Sequence, residues 1–409
     1  MISQMFLKNT LLLFVLLAGA CGNSAKSNHG AQQGEPVATQ IAQIKTGADN
    51  HSAYLPKLTG KSVGVLTNQT GVVAVSESGK TKNISIVDFL LTRKVAVKKI
   101  FAPEHGFRGT ADAGELVVDG KDSMTGLPII SLYGDNKKPT PEMLKDVDVV
   151  IFDLQDVGAR FYTYISSLHY LMEACAENGI EVIVLDRPNP NGDFVDGPIL
   201  EKEHSSFVGM HQIPILHGMT IGEYAKMING EKWLKNKVTC KLTVIPCLNY
   251  DKSMSYSLPI KPSPNLPNDQ SVNLYASLCF FEGTNVSVGR GTNKQFQVYG
   301  SPFQPKSGFS FTPSPNEGAK NPPYNGQVCY GEDLSDHEKV RGVNLSWLIK
   351  AYKNTSDKSK FFNSFFTKLA GTKELQQQIV DGRSEDEIKK GWQDGIAKFK
   401  IIRKVYEIY

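Results

Sequence analysis

A glutamate held between a proline and a glycine is the clearest candidate in this chain for acid–base chemistry. Glu104 stands in FAPEHGFRG (101–109), directly after a β-branched apolar run, where Pro103 and Gly106 restrict its backbone. A carboxyl group placed there can lose part of its water. Desolvation raises a carboxyl pKa, which a general acid at neutral pH requires. The competing possibility is a loop staple between Glu104 and Arg108. His105 beside it either orders the loop as a hydrogen-bond donor or belongs to the same site.

A second dense stretch is FDLQDVGARFYTY (152–164), which gathers Asp153, Gln155, Asp156, Arg160, Tyr162 and Tyr164. Polar groups and flat rings so close together suit a polyhydroxylated ligand, which needs paired hydrogen bonds and apolar faces. Either aspartate can instead cap the following helix. Arg160 suits an anion contact. DRPNP (186–190) is a sharp turn in which Asp186 and Arg187 either pair with each other or face a ligand. Asn265 stands in PSPNLP, while EGTNVSVGRGT (282–292) sets Glu282, Asn285 and Arg290 among glycines that allow close backbone approach.

Other chemistries lack their signatures. GxxxxGK[ST] does not occur, no GxGxxG follows the first strand, and neither GxSxG nor HExxH occurs. No cysteine pair has metal-type spacing, so neither a metal nor a cofactor is expected.

The residues that position these groups alternate in type along the first half. Strands are predicted at 62–67, 95–101, 128–132, 147–152 and 181–185, with helices at 84–91, 141–146 and 161–177. Near-continuous apolar strands separated by helices indicate a parallel sheet covered on both faces. In such sheets ligands bind beyond the carboxyl ends of the strands. Asn68, Glu104, His105, Asp153, Gln155, Asp156, Asp186 and Arg187 all follow strands directly and should converge on one rim. The fold class is therefore α/β, with the parallel-sheet domain at 51–203. A second, smaller, mixed α+β domain occupies 204–409, with short strands near 241–246 and 295–298 and proline-rich loops. The capping box of Ser384 and Glu387 opens its clearest helix.

The full chain has 409 residues, 40% hydrophobic and 21% charged, with net charge +4. So small a positive excess argues against a nucleic-acid partner. At the N-terminus, Lys8 precedes the apolar run 11–17, small residues follow, and then Cys21. This is a secretory leader (1–21) whose cysteine resembles a bacterial lipobox, so the chain is expected to be exported and lipid-anchored in the cell envelope through Cys21. Residues 22–50 are expected to form a flexible tether. Five further cysteines (Cys175, Cys240, Cys247, Cys279, Cys329) read as buried thiols, although Cys240 and Cys247 could pair.

TNQTG (67–71), PEHGFRG (103–109), SLYG (131–134), PTPEML (139–144), FDLQDVGARFYTY, DRPNP, HGMTIGE (217–223) and EGTNVSVGRGT together resemble a bacterial family. That family, long a domain of unknown function, includes the NamZ exo-β-N-acetylmuramidases, and the resemblance runs from about residue 55 to the C-terminus. It implies a Rossmann-like domain joined to a smaller one, with the active cleft between them. The implied activity is release of terminal N-acetylmuramic acid from the non-reducing ends of peptidoglycan fragments. Glu104 matches the glutamate of the family's PEHG motif and would be the acid. Asp153, Asp156 and Glu282 are open as the second carboxylate, and a substrate-assisted route through the acetamido oxygen is also open. Arg160 or Arg290 would hold the lactyl carboxylate. No protein partner is expected. Two alternatives compete: a surface lipoprotein that binds sugars without cleaving them, and a nucleotide-dependent α/β enzyme.

Overall fold

The computed structural model describes residues 43–77, 79–108, 119–306 and 308–409. The leader, Cys21 and the tether up to residue 42 lie outside the described residues.

Twelve strands occur among the described residues: β1 (Ser62–Thr67), β2 (Val72–Glu77), β3 (Lys80–Ser85), β4 (Ala96–Ala102), β5 (Gly120–Lys121), β6 (Pro128–Ser131), β7 (Val149–Asp153), β8 (Glu181–Leu185), β9 (Leu242–Ile245), β10 (Val298–Ser301), β11 (Phe309–Phe311) and β12 (Cys329–Asp333). The main sheet has the order β5-β6-β4-β1-β7-β8-β9. Its neighbours run parallel except for β5, which is antiparallel to β6. This is the expected α/β, Rossmann-like architecture. β10, β12 and β11 form a smaller antiparallel sheet later in the chain. β9 joins the main sheet from beyond residue 204, where the sequence alone opens the second domain.

Alternation along the central strands explains why both faces need cover. Val149 and Ile151 of β7 pack into one apolar cluster with Val63 and Val65, while Val150 and Phe152 pack into the other with Leu66. Because side chains alternate between faces, a strand buried on both must be apolar throughout. The helix Tyr164–Glu177 covers one face through Leu168, Leu171 and Met172. The β2–β3 hairpin was not foreseen from the sequence: the short apolar start of β2 gives way to Ser76 and Glu77, and β3 opens on Lys80, Thr81 and Lys82. All five cysteines from Cys175 onward are buried and free, so Cys240 and Cys247 do not pair.

The carboxyl ends of the strands form one row. Thr67 pairs with Asp153, and Ala102 with Ser131, so the loops that follow β1, β7, β4 and β6 leave the sheet on the same side.

Candidate active site

Register brings the first two site residues together. β4 and β6 are neighbours with Ala102 opposite Ser131, and two residues beyond each pairing stand Glu104 and Tyr133. The Tyr133 hydroxyl donates to Glu104 Oε1 at 3.0 Å. The Thr163 hydroxyl donates to Oε2 at 2.8 Å. Glu104 itself is half-buried.

The loop holding it is strained. Gly106 N–H donates to the Pro103 carbonyl at 3.0 Å, closing a turn in which buried His105 has φ +71. A left-handed conformation costs a non-glycine residue roughly 1–2 kcal/mol, and such strain persists where surroundings over-determine the backbone, often at functional sites. Arg108 is not a staple for Glu104. Its guanidinium donates to Asp122 at 2.8 and 3.2 Å.

Glu104 and His105 line a cavity of about 340 Å³. This is within the size range of small-ligand sites and sufficient for a sugar ring. Phe161 and Tyr162 contribute one wall, Tyr275 and Phe296 another. These rings meet edge to face, with centroids 5.2 Å apart for Phe161–Tyr275 and 5.0 Å for Tyr275–Phe296. Asn265, Glu282 and Arg290 add polar groups. Asn265 donates through its side-chain nitrogen to the Gly318 carbonyl at 2.5 Å, while its buried Oδ1 has no partner among the described residues.

Glu282 and Arg290 form an ion pair, Nε to Oε1, at 2.5 Å. Burial disfavours the arginine's charge, but Glu282 outweighs that penalty and holds its pKa above the usual value. The guanidinium lies over the Phe296 ring, 5.2 Å from its centroid. One terminal nitrogen, NH1, is buried without an acceptor among the described residues. A guanidinium with one edge engaged and another nitrogen available can take a ligand carboxylate.

The remaining sequence candidates do not line this cavity, and most turn into the protein. Asn68 donates to the Tyr164 hydroxyl at 2.6 Å and accepts from the Thr70 backbone and hydroxyl. The Gln155 side chain donates to the carbonyls of Asp156 and Pro188. Arg187 pairs with Asp153, at 2.6 and 3.0 Å, rather than with Asp186. The Asp186 carboxylate accepts from Thr220, Gly222 and the Tyr409 hydroxyl. Asn285 accepts from the Tyr324 hydroxyl through its backbone carbonyl.

Arg160 stands apart from the cavity. It is fully buried, and its two terminal nitrogens donate to four backbone carbonyls, those of Pro198, Ile213, Leu369 and Ala370. It ties three chain segments together through both terminal nitrogens. Asp156 is likewise interior. Its Oδ2 accepts from Gly158 N–H at 2.7 Å and lies 3.8 Å from His217 Nε2. Burial pushes Asp156 up to about 7, with backbone hydrogen bonds partly opposing it, and lowers His217 to about 3. Of the acids considered for the second role, Glu282 lines the cavity; Asp153 and Asp156 do not.

Tyr133, Thr163, Tyr275 and Phe296 were not singled out from the sequence. Tyr133 had a usable signal, since SLYG follows β6 as PEHG follows β4. Thr163 lies within the dense 152–164 stretch but resembles an ordinary helix cap.

Two family models cover nearly all of the described chain. The N-terminal domain of exo-β-N-acetylmuramidase NamZ matches residues 63–270, and the C-terminal domain matches 273–409. The peptidoglycan β-N-acetylmuramidase NamZ of Bacillus subtilis (strain 168) is 37% identical over 428 residues, covering 98% of this chain and 97% of that protein. Two crystal structures of DUF1343 family proteins from Bacteroides fragilis NCTC 9343 are similar. One has a TM-score of 0.82 at 45% identity and the other 0.72 at 29%, each covering 90% of this chain and 99% of its own.

Proposed function

The chain belongs to the exo-β-N-acetylmuramidase NamZ family and is a glycoside hydrolase, and on that premise we propose that it releases terminal N-acetylmuramic acid from the non-reducing ends of peptidoglycan fragments, with Glu104 as general acid. The observation that carries this assignment is the seating of Glu104, whose two oxygens are fixed by Tyr133 and Thr163 at the edge of a sugar-sized cavity. The cavity draws residues from both family-matched spans, which supports a cleft between the two domains.

In this mechanism Glu104 protonates the leaving glycosidic oxygen as its bond to the anomeric carbon breaks; water then supplies the oxygen that bonds to that carbon and the proton that restores the acid. Hydroxyl donors rotate readily, so Tyr133 and Thr163 can hold the carboxyl group before and after it gives up the proton. Glu282 faces the positive charge that develops on the sugar, or orients the acetamido oxygen when that group attacks. Arg290 receives the lactyl carboxylate at its available nitrogen, and the aromatic walls cover the flat faces of the ring. His105, Tyr162 and Asn265 complete the ligand contacts. Export and lipid attachment at Cys21 would place this activity in the cell envelope, beside its substrate.

Incubation with a muramyl-glucosamine disaccharide tests the proposal. Release of free N-acetylmuramic acid supports it. Tight binding without release contradicts it.

A further inference from the structure

Nine large apolar side chains are exposed among the described residues, and three of them cluster at the end of the helix Glu385–Lys404. Ile401 and Val405 are each 73% exposed, and Ile402 is exposed beside them. The buried face of this helix carries Ile388, Trp392, Ile396 and Phe399. At 3.6 residues per turn, Ile401 and Val405 fall on the opposite pole, where a surface helix ordinarily carries polar groups. Lys398 and Lys404 flank that apolar stripe on either side, and exposed Lys400 lies next to Lys404.

Lys45 and Leu248 exchange backbone hydrogen bonds at 3.0 and 2.8 Å, and Asn249 donates to the Gln43 carbonyl. The neighbouring Cys247 N–H donates to the Tyr409 hydroxyl at 2.7 Å. Residues 43–45 and the Tyr409 hydroxyl therefore meet along the segment 247–249. Leu248, also exposed, lies at that junction.

We propose that this flank is a membrane-facing surface, with Ile401 and Val405 entering the headgroup region of a bilayer and Lys398, Lys400 and Lys404 meeting anionic phospholipid. The proposal rests on the lipid-anchor reading of Cys21, which would hold the chain at a bilayer. Lipid suits the patch better than other occupants. A glycan offers hydroxyls but no apolar bed, and a second copy of the chain would set these lysines against their own kind. Membrane attachment through weak signals generally combines an acyl chain with basic and apolar surface.

The test is sedimentation of the full chain carrying Cys21→Ser with vesicles of phosphatidylcholine alone or with phosphatidylglycerol added. The leader is present in every variant, so the comparison isolates the patch. The parent should bind the anionic vesicles in a salt-sensitive way. Lys398→Gln, Lys400→Gln and Lys404→Gln combined should weaken that binding by roughly 100-fold. Ile401→Ser with Val405→Ser should weaken it at least 10-fold, with hydrolysis of a soluble muramide unchanged in both. Equal sedimentation of parent and variants overturns the proposal, as does patch-dependent dimerisation without vesicle binding. Mass spectrometry of Cys21 from the envelope fraction tests the anchor separately, so failure of either idea can be told from failure of the other.

Discussion

The Thr163 hydroxyl donates to Glu104 Oε2 at 2.8 Å from the position where it would otherwise cap the helix Tyr164–Glu177. An N-cap threonine normally accepts from the second or third helical N–H in a β-region conformation. Thr163 has helical dihedrals and makes no side-chain cap, and only its carbonyl serves the helix, by accepting from Ser166 and Ser167. Its hydroxyl is thus free for the glutamate, a departure from local rules of the sort found at functional sites.

Thr163→Val should therefore lower kcat roughly 10–100-fold, the loss of one hydrogen bond to a charged group. KM and the thermal midpoint should change little, and Thr163→Ser should restore most of the rate. Tyr133→Phe should act on kcat in the same direction. A matching fall in stability would show that Thr163 supports the helix instead.

Arg290→Lys should raise KM for a chromogenic N-acetylmuramide about 10–100-fold, because an ammonium cannot satisfy Glu282 and a ligand carboxylate in one plane. The matching N-acetylglucosaminide, which lacks the lactyl group, should be affected far less. Steady-state kinetics on the two substrates measures the difference. Equal losses on both would remove Arg290 from lactyl recognition.

Arg160→Met should destabilise the fold by roughly 3–5 kcal/mol, since four buried carbonyls lose their donor. Turnover per folded molecule should be nearly unchanged. Urea unfolding alongside active-site titration separates the two effects.

Asp156 gives a pH dependence whose sign can be worked out. Its folded pKa of about 7 lies above the unfolded value near 3.9, so between those values the native state holds a proton that the unfolded state has released. Its contribution is full below about pH 4 and is lost as pH rises to 7. His217, lowered to about 3 by burial, acts in the opposite sense and loses stability as pH falls below 6.5. Asp156→Asn should remove the first effect, so the stability of wild type relative to the variant should fall by on the order of 4 kcal/mol from pH 4 to 7.5. A constant difference across that range would contradict the assignment.

The strands and the rim were legible because a two-face-buried parallel sheet requires apolar runs, and 62–67, 147–152 and 181–185 supply them. Glu104 was legible because proline and glycine bracket it at a strand end. Side-chain direction was not. Asn68, Asp153, Gln155 and Asp186 leave strands at the expected rim, yet their groups bond to buried backbone and to other interior side chains, as any polar group out of water must. Arg160 resembled an anion contact because a sequence cannot show four carbonyls converging from residues 198, 213, 369 and 370. The aromatic walls at Tyr275 and Phe296 came from segments whose own patterns suggest only core.

The central claim is proton donation by Glu104, and Glu104→Gln is its most direct test because the amide keeps the shape and removes the acid. Turnover of a chromogenic N-acetylmuramide or of muramyl-glucosamine should fall roughly 100- to 10,000-fold, with the thermal midpoint near that of the parent. A folded Glu104→Gln variant that retains near-parental turnover would contradict the account.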